Sequence, residues 1–325
     1  MQAVEVDLKD KKKLLSPQKK SKRKITLKKV YEQRYLFLIA IPLLVWCIIF
    51  KYIPLWGWTM GFQDYKPWLS FTQQRWVGFQ YINELFADPR FYLVMRNTIV
   101  MSFLGLLCGF TFPIIFALLL NELRSVLFKR TVQTISYLPH FVSWTIAASI
   151  ITNMLSADGG IVNEILKNLH LIKEPIEFFA KGQLFWGISA FSDIWKETGW
   201  SSIIFLAAIT GIDPSLYEAA TVDGAGRFRK MWHITLPGIK STILVMFIMA
   251  TGGILNVGID KSMLLGNSVI SDYSDVLDYY VLKIGIGSGR FAFGTAIGVF
   301  KSLIGLILVF STNALAKKLG EERII

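Results

Sequence analysis

Residues 97–121 and 131–157 form two long runs without a single Asp, Glu, Lys or Arg. A helix needs about 20 mostly apolar residues to cross the roughly 30 Å hydrocarbon core of a bilayer. There, every backbone polar group must be bonded inside the protein, which leaves helices and closed barrels. Residues 241–259 are also uncharged and just long enough. Three further stretches reach the length while holding charge: 35–60 around Lys51, 291–316 around Lys301, and 183–212 around Asp193, Lys196 and Glu197. The expected fold class is all-α, a polytopic membrane protein with six transmembrane helices. Composition agrees, with 53% hydrophobic and 18% charged residues against about 25% charged in soluble domains. The same figures exclude a disordered chain, a coiled coil and a disulfide scaffold. Cys47 and Cys108 both sit in apolar runs, where a free cysteine behaves as a small hydrophobe.

Lysine and arginine set the orientation of such a chain. Residues 1–34 carry 12 of the 35 basic residues against four acidic ones. With the segments 121–130, 212–240 and the C-terminal tail, one side of the expected topology holds 22 basic residues and the other holds 9. Both termini are therefore expected in the cytoplasm, with the bilayer as an obligate partner. The basic tail lacks the interleaved aromatics of a nucleic-acid binder and runs straight into a span. Anionic-lipid contact and positive-inside sorting account for it, and no nucleic-acid partner is expected. The first apolar run is too long for a cleaved signal peptide and ends in Trp56, Trp58 and Phe62. The chain thus divides into a tail (1–34) and a transmembrane domain (35–325).

Between the fourth and fifth spans lies the most informative stretch, residues 213–237. Asp213 is an N-cap type and Pro214 suits the first helical position. Leu216, Tyr217, Ala219 and Ala220 supply an apolar surface of mostly small residues. Gly224 suits the position just past a helix end, and Gly226 loosens the link. Arg227, Arg229 and Lys230 begin a basic second helix that Pro237 ends. Local physics fits an interfacial hairpin as well as a docking knob that offers Glu218 to a partner. The residue pattern separates them. Glu218-Ala219-Ala220, then Gly224, then Ile234 and Leu236-Pro237 resembles the EAA loop of ABC importer permeases. Residues 50–54 with Asp64-Tyr65, Arg96-Asn97-Thr98, 117–122, 133–141, Trp195-Lys196 and Gly199-Trp200 extend the likeness to about nine tenths of the chain. They resemble the six-span oligosaccharide permeases of the maltose type, without that subunit's large inserted outer domain.

The resemblance implies the type I ABC importer permease fold and a set of partners. These are a second homologous permease subunit, two ATP-binding subunits carrying ATP-Mg, an extracytoplasmic solute-binding protein and an oligosaccharide. Glu218, Ala219, Ala220 and Gly224 would form the helix that docks in an ATPase cleft, with Ile234, Leu236 and Pro237 holding the exit from the loop. The implied location is a bacterial cytoplasmic membrane. Within the subfamily, importers of acidic glycan fragments such as alginate oligosaccharides are the nearest system by overall likeness.

No cofactor, metal or catalytic site is expected in the chain itself. A P-loop needs a Gly-Lys pair and the sequence has none; His140, His170 and His233 are scattered. Solute contact is expected on the fourth span. Asp193, Glu197 and Trp200 fall at i, i+4 and i+7, on one helical face, with Lys196 close to it. Two readings stand: an Asp193–Lys196 pair hidden between helices, or a hydrated face that grips hydroxyls while Trp200 stacks on a sugar ring. By position relative to the EAA loop, these residues, together with Gly253 and Asn256 on the fifth span, match where the maltose-type subunit contacts sugar. Arg96 is expected at the outer membrane edge and Lys301 at a subunit interface or in the path. The rival functions are an ABC permease for a non-sugar solute and an ATP-independent secondary transporter. The second would show matching halves, which the sequence lacks.

Overall fold

A computed structural model describes residues 33–318, with side chains up to residue 314. Residues 1–32 of the basic tail lie outside that range. The chain divides into two compact units, Met1–Gly57 and Trp58–Ile325. In the first, α1 (Arg34–Cys47) continues through a π turn at Ile48–Tyr52 into 3-10 turns that begin at Ile53. The loosened winding begins before Pro54, which has no N–H to give an α-helical ladder.

The second unit is helical apart from one short antiparallel pair among the described residues, β1 (Gln63–Asp64) with β2 (Arg75–Trp76). α2 (Gln80–Ala87) leads into α3 (Pro89–Asn121). Asp88 caps α3 by accepting the Arg90 N–H at 2.9 Å, with Pro89 at the first helical position. Next come α4 (Val126–Phe141), α5 (Trp144–Met154), α6 (Ile161–Asn168) and α7 (Gly182–Thr210). They are followed by α8 (Pro214–Val222) and α9 (Arg227–Gly238), whose middle, Met231–Thr235, is a π turn. α10 (Lys240–Gly252), the short α11 (Asp260–Leu264), α12 (Ser271–Ser274) and α13 (Leu277–Val281), and α14 (Phe291–Lys318) complete the order.

Six spans are present only if bent pairs are counted as one each. Arg34–Phe62, Pro89–Asn121 and Phe291–Ala314 are unbroken candidates, while α4/α5, α7/α8 and α9/α10 bend by 105°, 72° and 56°. The third span therefore departs from its expected form, a straight helix over 131–157. Pro139 removes a backbone donor near the end of α4, and Ser143 then caps α5 by accepting the Ile146 N–H. The fifth span likewise stops at Gly252 rather than reaching residue 259 as a helix.

Three buried apolar clusters run along the bundle. At the end near the 213–237 loop, Ala117 and Leu118 pack on Phe205, Ile209 and Ile239. Midway, Met101, Ala148, Ile151 and Phe185 meet Leu265, Ile270 and Val276. At the distal end, Leu85, Phe91 and Val94 meet Leu277, Tyr280, Phe293 and Ile297. Polar bonds fasten the connection after α11 to α3: the Asn97 amide donates to the carbonyls of Asp272 and Asp275, and Arg90 pairs with Asp275 at 3.0 Å. Close helix approach depends on small residues. A Cβ on Gly199 would lie 2.0 Å from the Ser136 carbonyl oxygen, so α7 lies directly against the α4 backbone. Gly199→Val is expected to lower stability by about 1–3 kcal/mol or more, read as a fall in the melting temperature of the purified complex. An unchanged melting temperature would disprove this packing.

Candidate functional site

The 213–237 loop is a helix pair built by its own side chains. Asp213 accepts the Ser215 N–H at 2.9 Å, and that bond holds its carboxyl below the usual carboxylate range. α8 ends in a paired-bond cap: the Gly224 N–H reaches the Thr221 carbonyl (3.1 Å) and the Ala225 N–H reaches the Ala220 carbonyl (2.8 Å). This geometry puts Gly224 at φ 73°, a conformation that glycine adopts without penalty. Lys230 Nζ donates to Thr221 Oγ1 at 2.5 Å, and the Tyr217 and Thr235 hydroxyls bond at 2.9 Å, so α9 is tied back onto α8. Ile212 and Leu236 pack on the cluster that holds Ile239, which joins the pair to the base of α7.

Glu218, Ala219, Gly224 and Pro237 are exposed in the isolated chain, while Ala220, Ile234 and Leu236 are half-buried. Around them stand apolar side chains that the sequence reading passed over: Val222 is 88% exposed and Phe228 83% exposed, with Trp232 also outward. The signal lay in the interruption of a basic helix by Phe and Trp. Large apolar residues bared together mark a contact surface.

The fourth-span residues separate into different surroundings. Asp193 pairs with Lys261 at 2.5 Å, so of the two readings the Asp193–Lys196 pair is not formed, and the partner comes from 68 residues along the chain. Lys196 turns to α4 instead. Its ammonium donates to the carbonyls of His140 (2.7 Å) and Pro139 (3.4 Å) and lies 3.4 Å from Glu197. Glu197 in turn holds His140 Nδ1 at 2.7 Å. The His140 ring lies parallel to Trp200 with centroids 4.5 Å apart, and Phe141 meets the same indole edge-on. One face of Trp200 is therefore already covered.

Two adjoining cavities receive the rest. One, of about 360 Å³, is lined by Asp193, Lys261, Ser102, Gly253 and Asn256. It shares Gly109, Phe110 and Ala250 with a second, of about 720 Å³, where Trp200 stands among Met246, Met249 and Ile204. Asp193, Gly253 and Asn256 thus border the first of these adjoining cavities and Trp200 the second, while Lys196 and Glu197 line neither. Lys261, His140 and Trp144 are the residues sequence reasoning missed. His140 was visible as the one histidine in the uncharged run 131–157; Lys261 gave no such signal. Arg96 and Lys301, two more of the intramembrane or boundary charges, are also bonded within the chain. Arg96 donates to the Asp272 carbonyl at 2.7 Å and lies over the rings of Trp186 and Tyr273. Lys301 bonds to Asp278 and lines a cavity with Asn256, a placement compatible with either expectation, a subunit interface or the path.

Comparison with known proteins follows the same lines. Residues 109–321 match the family described as binding-protein-dependent transport system inner membrane component. The polygalacturonan/rhamnogalacturonan transport system permease protein YteP of Bacillus subtilis (strain 168) is 46% identical over 306 residues, covering 94% of this chain and 95% of that protein. A crystal structure of a bacterial ABC transporter involved in import of the acidic polysaccharide alginate contains a chain with TM-score 0.81 and 36% identity, covering 90% of this chain and 98% of that one. The bacterial alginate ABC transporter in complex with an alginate pentasaccharide-bound periplasmic protein gives TM-score 0.83 and 35% identity, covering 91% and 99%.

Proposed function

The chain belongs to the family of binding-protein-dependent transport system inner membrane components, as a permease subunit of an oligosaccharide ABC importer, and from that premise we propose that it passes an acidic oligosaccharide into the cytoplasm on a stroke supplied by ATP-hydrolysing partners. The observation that carries the stroke is the helix pair of residues 213–237, capped at Gly224 and presenting Val222 and Phe228. Glu218, Ala219, Ala220 and Gly224 dock in an ATP-binding subunit, and Ile234, Leu236 and Pro237 hold the return into α10. Two such subunits, with ATP-Mg, serve this chain and a homologous second permease. A docking site couples only if its partner binds differently in two states of the pore. The contact from Ile212 and Leu236 to Phe205 and Ile209 hands that difference to α7, and so to Trp200 and Asp193 one and more turns above.

Orientation follows from basic-residue placement: both termini and the 213–237 loop face the cytoplasm of a bacterial inner membrane, and the distal end receives solute from an extracytoplasmic binding protein. The acidic character of the solute is supported by the relatives, since polygalacturonan, rhamnogalacturonan and alginate all carry uronate carboxylates. Asp193, Gly253 and Asn256 offer polar contacts and the free face of Trp200 a platform for a ring. Glu197 and Lys196 support that platform through His140. The hydrolysis belongs to the partners; this chain's part is the path.

Uptake of a labelled oligogalacturonate by cells carrying or lacking the chain tests the reading. Loss of uptake on deletion is expected. Trp200→Ala and Glu197→Ala in the restored chain are each expected to lower the rate roughly two- to tenfold, the worth of an aromatic contact, with normal assembly. Uptake indifferent to the deletion would refute the acidic-solute assignment.

A further inference from the structure

Two buried lysines flank the Trp144 ring, and they are not equivalent. Lys196 is 4% exposed, bonds two backbone carbonyls, lies 3.4 Å from Glu197 and lines neither of the two cavities. Its ammonium, 5.6 Å from the Trp144 centroid, is fully used. Lys261 is 7% exposed and lies 5.9 Å from the same ring. Among the described residues its one hydrogen-bond partner is Asp193, whereas an ammonium has three donors. Unlike Lys196, it lines the cavity of about 360 Å³ together with that partner.

A buried ion pair contributes little net stability compared with apolar side chains of the same size. Ionisable groups inside a membrane usually mark a path. We infer that Lys261 is the carboxylate-selecting residue of the path, with Asp193 as its internal stand-in: a uronate carboxylate entering the cavity displaces the Asp193 carboxylate from Lys261. The exchange keeps the ammonium paired throughout, so the empty path holds no bare cation and a neutral sugar gains nothing from the site. Glu197, Lys196 and the His140 residue are engaged with one another, and Lys261 is the cation that lines this cavity. The inference rests on the acidic-solute reading and adds the residue that enforces it.

The test compares uptake of one oligogalacturonate by cells carrying the wild-type importer, Lys261→Gln, Asp193→Asn or the double variant. Membrane level and co-purification of partner subunits are checked for each. A single solute keeps delivery by the binding protein constant. If the pair were only a structural brace, both single variants would fail and the uncharged double variant would recover. A selecting Lys261 gives another order: Lys261→Gln and the double variant fall together, and Asp193→Asn, freed of the competing carboxylate, exceeds both by about tenfold or more, the worth of a charge-assisted hydrogen bond. Recovery in the double variant, equal loss in all three, or no loss in any overturns the inference. Wild-type cells that fail to take up the acidic solute would instead overturn the reading beneath it.

Discussion

Replacing Gly224 by valine is expected to lower solute uptake by about 30-fold or more, while the chain still inserts and pairs with its second permease. The cause is conformational. A Cβ built on Gly224 meets nothing within 4 Å, so no clash accompanies the change. The residue sits at φ 73°, where an L-residue costs roughly 1–2 kcal/mol and a β-branched one is a genuine outlier. The chain relieves that cost by leaving the left-handed region, which breaks the bond from Ala225 to Ala220 and re-aims α9 with Phe228 and Trp232. Loss of a central docking element costs about 2 kcal/mol or more at an interface, which is the stated factor in affinity. Gly226 supplies the control. It too has open space around it, but at φ −70° and ψ 170° it is ordinary extended backbone, and Gly226→Val is expected to retain most of the uptake. Asn tolerates the left-handed region better than other non-glycine residues, so Gly224→Asn should fall between the two. Equal uptake by the two valine variants would remove the coupling role from the Gly224 cap.

The same loop shows where sequence reading succeeds. Asp213, Pro214, Gly224 and the order of the helix pair were legible because caps and positive-φ glycines are decided within a few residues of chain. The apolar runs were legible as spans for a related reason: hydropathy reports the surroundings a segment needs. It does not report direction. The break after Phe141 lies inside an uncharged run and leaves no trace in hydropathy, because the His140 carbonyl is met by Lys196, a residue 56 positions away, and the Pro139 carbonyl by the Val142 N–H. The partner of Asp193 was not legible for the same reason. Lys196 is nearer in sequence, but α7 turns it toward α4, and Lys261 arrives from beyond the fifth span. Lys301 repeats the pattern with Asp278. Pairings made across the bundle, rather than along a helix, were what periodicity could not supply.

Lys196→Met is expected to cause the largest loss of stability among single changes at the fourth span. The side chain is buried, and its ammonium meets the last carbonyls of α4. Those carbonyls form the negative end of a helix dipole, cut short where the chain turns by 105°. Methionine fills the volume and leaves those carbonyls and Glu197 without the cation. A buried polar group left without its partner costs about 1–3 kcal/mol, and more where a charged group is involved, a large part of the roughly 5–15 kcal/mol that holds a typical domain. The expected result is a sharp drop in the melting temperature of the purified complex and little assembled importer in the membrane. Uptake falls as a consequence. A lysine whose work was to hold solute would behave in the opposite way, since Lys196→Met would then assemble and melt normally and fail only in uptake. Measuring both quantities on one variant therefore decides whether Lys196 braces the broken third span or belongs to the path. The geometry favours the brace, because Lys196 borders neither cavity while His140, whose carbonyl it holds, stacks on Trp200.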